Sequence, residues 1–114
     1  MRYLLYEVEN KNAAPPTPQL MAEMGKLIEE TTKAGILLAT GGLDAKSTRV
    51  RSTGAKLTVT DGPFTEAKEL TGGFALIEVK SREEAIEWAK RFRKIVGEGE
   101  SVIQQVFGGD GDPR

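Results

Sequence analysis

The chain has 114 residues, of which 39% are hydrophobic and 29% charged, a balance typical of one folded domain rather than of a disordered segment. Its 16 basic and 17 acidic residues give a net charge of −1, which does not predict nucleic-acid or anionic-membrane binding. The absence of cysteine and histidine excludes disulfides, thiolate metal sites, cysteine nucleophiles and every Ser-His-Asp arrangement.

Any catalysis must therefore use carboxylates, lysine, tyrosine, hydroxyl groups or a bound cofactor. We expect no metal, because the chain lacks histidine, the commonest transition-metal ligand. We also expect no cofactor, because the glycine pairs at 41–42 and 72–73 do not form a dinucleotide-binding fingerprint and are explained by turns. The longest apolar run, residues 35–39, is far below the ~20 residues that a membrane span requires. The chain opens in strand-like sequence without a signal-peptide pattern, so we expect a cytoplasmic protein without a membrane partner.

The first half of the chain predicts a strand, a helix and a second strand. Residues 2–9 are rich in aromatic and branched side chains, as strands are. Thr17 is a suitable N-cap for a helix that has Pro18 at its first position, and Gly35 is a suitable stop. Residues 36–43 predict the second strand, which we expect to end in a Thr-Gly-Gly turn.

The middle of the chain predicts a β-hairpin. Residues 48–52 and 56–60 flank the three residues 53–55, a connection of the length that hairpins prefer. An Asp-Gly-Pro-Phe segment follows at 61–64, and residues 74–80 predict the next strand.

The second half ends with a helix and a strand. Residues 81–84 (Ser-Arg-Glu-Glu) form a capping box, and Gly97 is the expected helix stop. Residues 102–107 predict the last strand. We expect residues 1–108 to form the domain and residues 109–114 to form a flexible tail.

This order of elements predicts an α+β fold, a ferredoxin-like sandwich with a hairpin insertion and both helices on one face of an antiparallel sheet. The first strand carries apolar side chains on both faces, with Tyr3 and Leu5 on one side and Leu4, Tyr6 and Val8 on the other. Two helices can cover only one face, and a second copy of the chain is the simplest cover for the other. We therefore predict a homodimer packed sheet to sheet.

The run Asp61-Gly62-Pro63-Phe64-Thr65-Glu66-Ala67-Lys68-Glu69, followed by Gly72-Gly73-Phe74, is the most distinctive part of the sequence. With the Met-Arg-Tyr-Leu-Leu start and the segment Glu84–Ala89, it resembles the DGPF subgroup of the YCII-related proteins over nearly the whole chain. The resemblance implies a ferredoxin-like fold assembled as a dimeric α/β barrel.

The resemblance implies less about function. An active-site role is suggested for an Asp-His pair in typical YCII-related proteins, and it cannot be carried over to a chain without histidine. Some DGPF proteins are associated with transcription initiation. The alternative to a ligand-binding domain is therefore a non-catalytic regulatory or interaction module linked to transcription initiation.

Asp61 is the first candidate site residue. A carboxylate before Gly-Pro at a strand end can act as a general base or orient a ligand, whereas the structural interpretation is a turn in which Asp61 caps backbone N–H groups and Phe64 fills the core. Arg49 and Arg51 point to one face of the hairpin, where they suit a carboxylate or phosphate, or simply protect an edge strand.

Glu66, Lys68 and Glu69 alternate in charge and either hold a polar ligand or form a solvated loop. The leading hypothesis is a small polar metabolite bound in a cleft beside this turn, with contacts from Arg49, Arg51, Phe64, Glu66 and Lys68. Proton transfer by Asp61, with Arg49 or Lys68 stabilising an oxyanion, is the chemistry we expect if the protein is an enzyme, which the sequence leaves open.

The second helix is rich in basic residues, but acidic residues balance them. We therefore expect a salt-bridged outer face rather than a nucleic-acid-binding patch. The basic residues are Arg82, Lys90, Arg91, Arg93 and Lys94, and the acidic ones are Glu83, Glu84 and Glu87.

Overall fold

The computed structural model describes residues 1–8, 16–44, 46–62 and 70–108. The elements follow in the predicted order of strand, helix, strand, hairpin, strand, helix and strand. They are β1 (Arg2–Val8), α1 (Pro18–Lys33), β2 (Leu37–Leu43), β3 (Thr48–Thr53), β4 (Lys56–Asp61), β5 (Leu70–Glu78), α2 (Arg82–Val96) and β6 (Glu100–Val106).

Four of the strands form one antiparallel sheet in the order β2-β5-β1-β6. The two helices contact each other and pack on this sheet, while β3 and β4 form a separate two-stranded sheet. The predicted ferredoxin-like α+β fold with a hairpin insertion is therefore confirmed.

Both helices begin with the caps that the sequence predicts. The Thr17 hydroxyl accepts a hydrogen bond from the Leu20 N–H at 3.1 Å, and the Ser81 hydroxyl accepts one from the Glu84 N–H at 3.1 Å. The Glu84 carboxylate completes the second cap by accepting from the Lys80 N–H at 3.1 Å. These bonds satisfy N–H groups that have no partner inside the helix.

The hairpin differs from the prediction in its turn and its exposure. Only Gly54 and Ala55 connect β3 to β4, and Gly54 has the positive φ of 60° that this two-residue turn requires. Val50, Leu57 and Val59 lie on one face of the hairpin and are 69%, 73% and 68% exposed, because no described helix or strand packs against them.

The two glycine pairs lie inside strands, so the prediction that they form turns is wrong. Gly42 in β2 is paired with Gly73 in β5, and β5 begins at Leu70 instead of Phe74. A Cβ atom on Gly41 would come within 3.1 Å of the Phe74 ring, and one on Gly73 within 3.1 Å of the Gly41 carbonyl oxygen. Glycine here permits a close approach between neighbouring strands.

The hydrophobic core lies between the helices and one end of the sheet. Tyr3, Ile77, Val79 and Ala85 form its buried centre, and Ala89 is buried one turn further along α2. Small alanine side chains let α2 approach the sheet closely at this end.

The opposite face of the sheet also carries apolar side chains. Strand pairing places Leu4 beside Leu76 and Tyr6 beside Phe74, on the face that alternates with the helix-facing Tyr3 and Ile77. These four open-face side chains are only half-buried, and both helices lie on the other face. Polar side chains lie beside them on this face, where the Tyr6 hydroxyl donates to Oε1 of Gln104 at 2.6 Å and Nε of Arg2 lies 3.7 Å from Oε1 of Glu78. The expected second face is therefore apolar around Leu4 and Leu76 and polar next to them.

Within the described ranges, neither helix is long and apolar enough to span a bilayer.

Candidate functional site

Asp61 lies at the last position of β4, paired with Thr48 at the start of β3. Its carboxylate accepts a hydrogen bond from the Thr48 hydroxyl at 2.8 Å, and the following Gly62 N–H donates to the Ser47 carbonyl at 2.6 Å. These contacts close the base of the hairpin. Asp61 is exposed.

Arg49 and Arg51 lie on the hairpin face opposite to that of Asp61. Arg49 pairs with Thr60 and Arg51 with Thr58, so strand alternation turns the two arginines away from the face that carries Asp61. Both arginines are exposed. Within one chain, the hairpin does not bring Arg49 and Asp61 together around one reacting group.

Phe64, Glu66, Lys68 and Glu69 fall in the segment 63–69, outside the described residues. Their expected contacts with a ligand therefore stay predictions. The expected tail at 109–114 lies outside the described residues as well.

A cavity of about 310 Å³ lies between the helical layer and the sheet. This volume is at the small end of the range that ligand pockets occupy. Most of the lining is apolar and comes from the sheet and both helices, including Leu5, Leu27, Ile28, Ile77, Trp88 and Phe92.

The side chains along β5 and α2 explain why the cavity lies at this end. Val79 and Ile77 fill the core near the end of β5, whereas Ala75 and Gly73 leave space towards its beginning. Along α2 the buried alanines come first, and the later Phe92 belongs to the cavity wall. The helix-to-sheet interface is therefore tight at one end and open at the other.

A polar group occupies one part of the cavity wall. Glu7 of β1 and Ser101 of β6 are directly paired across the two strands and both line the cavity. Nη2 of Arg93, in the last turn of α2, lies 2.8 Å from Oε1 of Glu7, with the two side chains only 22% and 24% exposed. Gly99 makes room for this arginine, because a Cβ atom there would meet Nη1 at 2.7 Å.

Several polar atoms of this group have no hydrogen-bond partner within the described ranges. They are Oγ of Ser101, Oε1 of Glu7, and Nε and Nη1 of Arg93, all buried. Nη2 of Arg93 and Oε1 of Glu7 are close, but their geometry does not meet the angles of a hydrogen bond. The contact is therefore an ion pair. Buried polar atoms without partners are rare and costly, which makes this group unusual.

Other hydroxyl groups on the cavity wall already have partners. The Thr31 hydroxyl donates to the Leu27 carbonyl at 2.7 Å, and the Thr40 hydroxyl donates to the Phe74 carbonyl at 2.9 Å. Glu7 and Ser101 therefore carry the buried polar atoms of the described wall that lack a hydrogen-bond partner.

Burial raises the pKa of Glu7 above its ordinary value of 4.5, and the nearby Arg93 guanidinium opposes this effect. Burial disfavours the charged carboxylate, whereas the positive charge favours it. The balance shows that Arg93 compensates only part of the lost hydration.

Glu7, Arg93 and Ser101 are not among the site residues that the sequence predicts. Glu7 continues the helix-facing series that Tyr3 and Leu5 begin on β1, and a charged residue in such a series was the available signal. Ser101 falls outside a last strand that is predicted to begin at residue 102, whereas β6 begins at Glu100.

Two of the five basic residues of α2 form ion pairs on its outer face. Lys90 pairs with Glu87 at 3.4 Å, and Arg91 reaches α1 with two contacts to Glu30 at 2.6 and 3.1 Å. Arg93 differs from the prediction, because it turns towards β1 instead of lying on the outer face. The hydrogen bonds from Arg91 hold the pKa of Glu30 below its ordinary value.

Among the described residues there is no group of three or more His, Cys, Asp or Glu that could hold a metal ion.

The chain is therefore a small α+β domain with a cavity between its helices and its sheet. The chain belongs to the YCII-related domain family, whose sequence profile matches residues 1–103. A comparison with curated proteins found no match.

Among solved structures, the chain is similar to 5-chloro-2-hydroxyhydroquinone dehydrochlorinase (TftG) from Burkholderia phenoliruptrix AC1100, determined in complex with 2,5-dihydroxybenzoquinone. The two sequences are 18% identical, and the match covers 98% of this chain and 99% of that one with a TM-score of 0.48. Similarity at this level carries no argument about ligand or activity.

The two perturbed carboxylates predict opposite effects of pH. We expect NMR titration to give Glu7 a pKa above 4.5 and Glu30 a pKa below it. A raised folded-state pKa means that the contribution of Glu7 to stability is complete below pH 4.5 and is lost as the pH rises through its folded-state pKa. The contribution of Glu30 is present above pH 4.5 and is lost as the pH falls through its lower folded-state pKa.

Arg91→Gln is the control for this titration. It should return the pKa of Glu30 towards 4.5 and leave that of Glu7 unchanged, since Arg91 bonds to Glu30 and not to Glu7. A pKa of Glu7 at or below 4.5 in the unmodified protein would contradict the burial argument.

Proposed function

We propose that this protein binds a small molecule with an apolar body in the cavity between its helices and its sheet. The observation that carries this proposal is the cavity itself, of about 310 Å³, with an apolar wall and one group of unsatisfied polar atoms. Convergence of a few polar groups on an apolar pocket is the usual form of a ligand site.

The wall favours a less polar ligand than the sequence predicts. Trp88 and Phe92 from α2 and Leu27 and Ile28 from α1 offer contact surface without hydrogen-bonding groups on that surface, apart from the indole N–H. A small polar metabolite would lose its hydration over most of this surface without compensation. The apolar part of a ligand fits here, and its polar part belongs at Glu7 and Ser101.

The predicted cleft beside the Asp-Gly-Pro-Phe turn stays a prediction, because residues 63–69 lie outside the described residues. Gly73 of β5, which follows this segment in the sequence, lines the cavity. Asp61 is not among the described residues that line it, whereas Glu7 is. Proton transfer by a carboxylate stays a proposal, for which Glu7 is better placed than Asp61.

The link to transcription initiation stays a prediction, because no described contact and no comparison bears on it.

Partial filling of the cavity should weaken binding. Ala75→Leu adds three carbon atoms at a position that lines the cavity, and we expect the affinity for a small aromatic probe such as ethylbenzene to fall at least tenfold. Because the added atoms enter existing space, the free energy of unfolding should fall by less than about 1 kcal/mol. Chemical-shift titration and denaturant unfolding measure the two quantities.

Ala22→Leu is the matched control, since it makes the same change on an exposed part of α1. It should leave the affinity for ethylbenzene unchanged. The proposal fails if ethylbenzene does not bind the unmodified protein, or if Ala75→Leu binds it equally well.

We also propose that the open face of the sheet packs against the same face of a second copy. The apolar side chains of Leu4 and Leu76 support this pairing, because a monomer would leave them against water. A twofold axis through the sheet would place each apolar face on its own equivalent, which is the commonest geometry of homodimers. The assembly would be the dimeric α/β barrel that the family resemblance implies.

A charge at the centre of this face should separate the two copies. Leu76→Lys would place an ammonium group against an apolar partner surface, and we expect the dimer dissociation constant to rise more than 100-fold. Sedimentation equilibrium should give twice the mass of one chain for the unmodified protein and a single-chain mass for the variant.

Thr58→Lys, on the exposed hairpin, is the control and should remain dimeric. An unmodified protein that sediments as a monomer at micromolar concentration would refute the sheet-to-sheet pairing.

A further inference from the structure

We infer that Glu7 and Ser101 select a neutral ligand that carries a hydrogen-bond donor, such as a hydroxyl group on an apolar ring. This inference rests on the proposed function, because it specifies the polar part of a ligand bound in the same cavity. It derives from the position of the two residues, their partners and the charges around them.

The two residues lie side by side at the cavity wall. Glu7 and Ser101 are directly opposite each other on adjacent antiparallel strands, with their side chains on the helix-facing side of the sheet. Directly opposed side chains of an antiparallel pair have Cβ atoms about 4.5–5.5 Å apart, so one hydroxyl group can contact both. The two hydroxyl groups of Thr31 and Thr40 are already engaged with backbone carbonyls and do not compete.

The carboxylate of Glu7 has capacity for another hydrogen bond. Its Oε1 atom faces Arg93, but the contact lacks hydrogen-bond alignment, and part of the Glu7 side chain remains exposed. A carboxylate accepts several hydrogen bonds, and each is stronger than one to a neutral acceptor. A hydrogen-bond donor on the ligand would thus supply a partner for Oε1 of the Glu7 carboxylate, which lacks one among the described residues.

The local charges argue against an ionised ligand. Glu7 is the charged side chain among the described residues that line the cavity, so an anionic ligand would meet its negative charge. For a cationic ligand, Arg93 at 2.8 Å already balances the charge of Glu7, so repulsion from the guanidinium would offset the attraction to the carboxylate. A neutral donor avoids both penalties.

Four probes of nearly equal size separate these cases. Ethylbenzene has no donor, benzyl alcohol has a neutral hydroxyl group, benzylammonium is a cation, and benzoate is an anion. Their dissociation constants would be measured at pH 8 by chemical-shift titration on the full chain and on the Glu7→Gln and Ser101→Ala variants. Ser52→Ala, on the exposed hairpin, is the control for the serine substitution.

We expect the ratio of the benzyl alcohol constant to the ethylbenzene constant to rise about tenfold in Glu7→Gln, because a charged acceptor is lost from the ligand site. The new amide should turn its oxygen towards Arg93 and its nitrogen towards the cavity. In Ser101→Ala the ratio should rise several-fold, and in Ser52→Ala it should not change. Comparing this ratio between the unmodified protein and a variant cancels the difference in hydration free energy between the two free probes.

The outcomes distinguish this inference from the proposed function. If ethylbenzene binds and the ratio is unchanged in both variants, the cavity is a binding site but ordered water satisfies Glu7 and Ser101, and the inference is wrong. If benzylammonium or benzoate binds more tightly than benzyl alcohol and depends on Glu7, the ligand class is wrong. If none of the four binds, the proposed function itself fails.

Discussion

Two helices cover one face of a four-stranded sheet in this fold. The sizes of the side chains between the helices and the sheet determine where the two layers pack closely. Near Tyr3 and Val79, Ala85 lets α2 lie close to the sheet and the core is filled. Towards the beginning of β5, Ala75 and Gly73 are too small to fill the space that the larger side chains of α2 hold open. The cavity thus follows from the same packing that stabilises the domain.

The same constraint leaves apolar surface elsewhere. Because both helices lie on one face, Leu76 and its neighbours on the other face need a cover that the described part of the chain does not provide. The hairpin adds a second apolar strip that includes Val50 and Val59. Burying such surface gives roughly 25 cal/mol per Å², so assembly would recover free energy that one chain cannot gain alone.

Much of the fold could be predicted from sequence because it depends on local signals. Thr17 and Ser81 mark the helix starts by hydrogen bonds to their own first turns. The glycine pairs lie in strands although the sequence predicts turns. A glycine can be required in a strand because a side chain from a neighbouring strand packs against it, as the Phe74 ring does at Gly41, and the sequence does not show this contact. The polar group at Glu7 could not be predicted for a related reason. Its ion pair is formed with Arg93, which is distant in sequence and contacts Glu7 only in the folded chain.

The proposed ligand occupies the space between the helices and the sheet. An isotope-filtered NOE experiment on methyl-labelled protein with unlabelled ethylbenzene tests this placement directly. We expect intermolecular NOEs to the methyl groups of Leu27, Ile28 and Ile77, which line the cavity. NOEs confined to Val50 and Val59 of the hairpin, or the absence of any NOE at saturating probe, would contradict this placement.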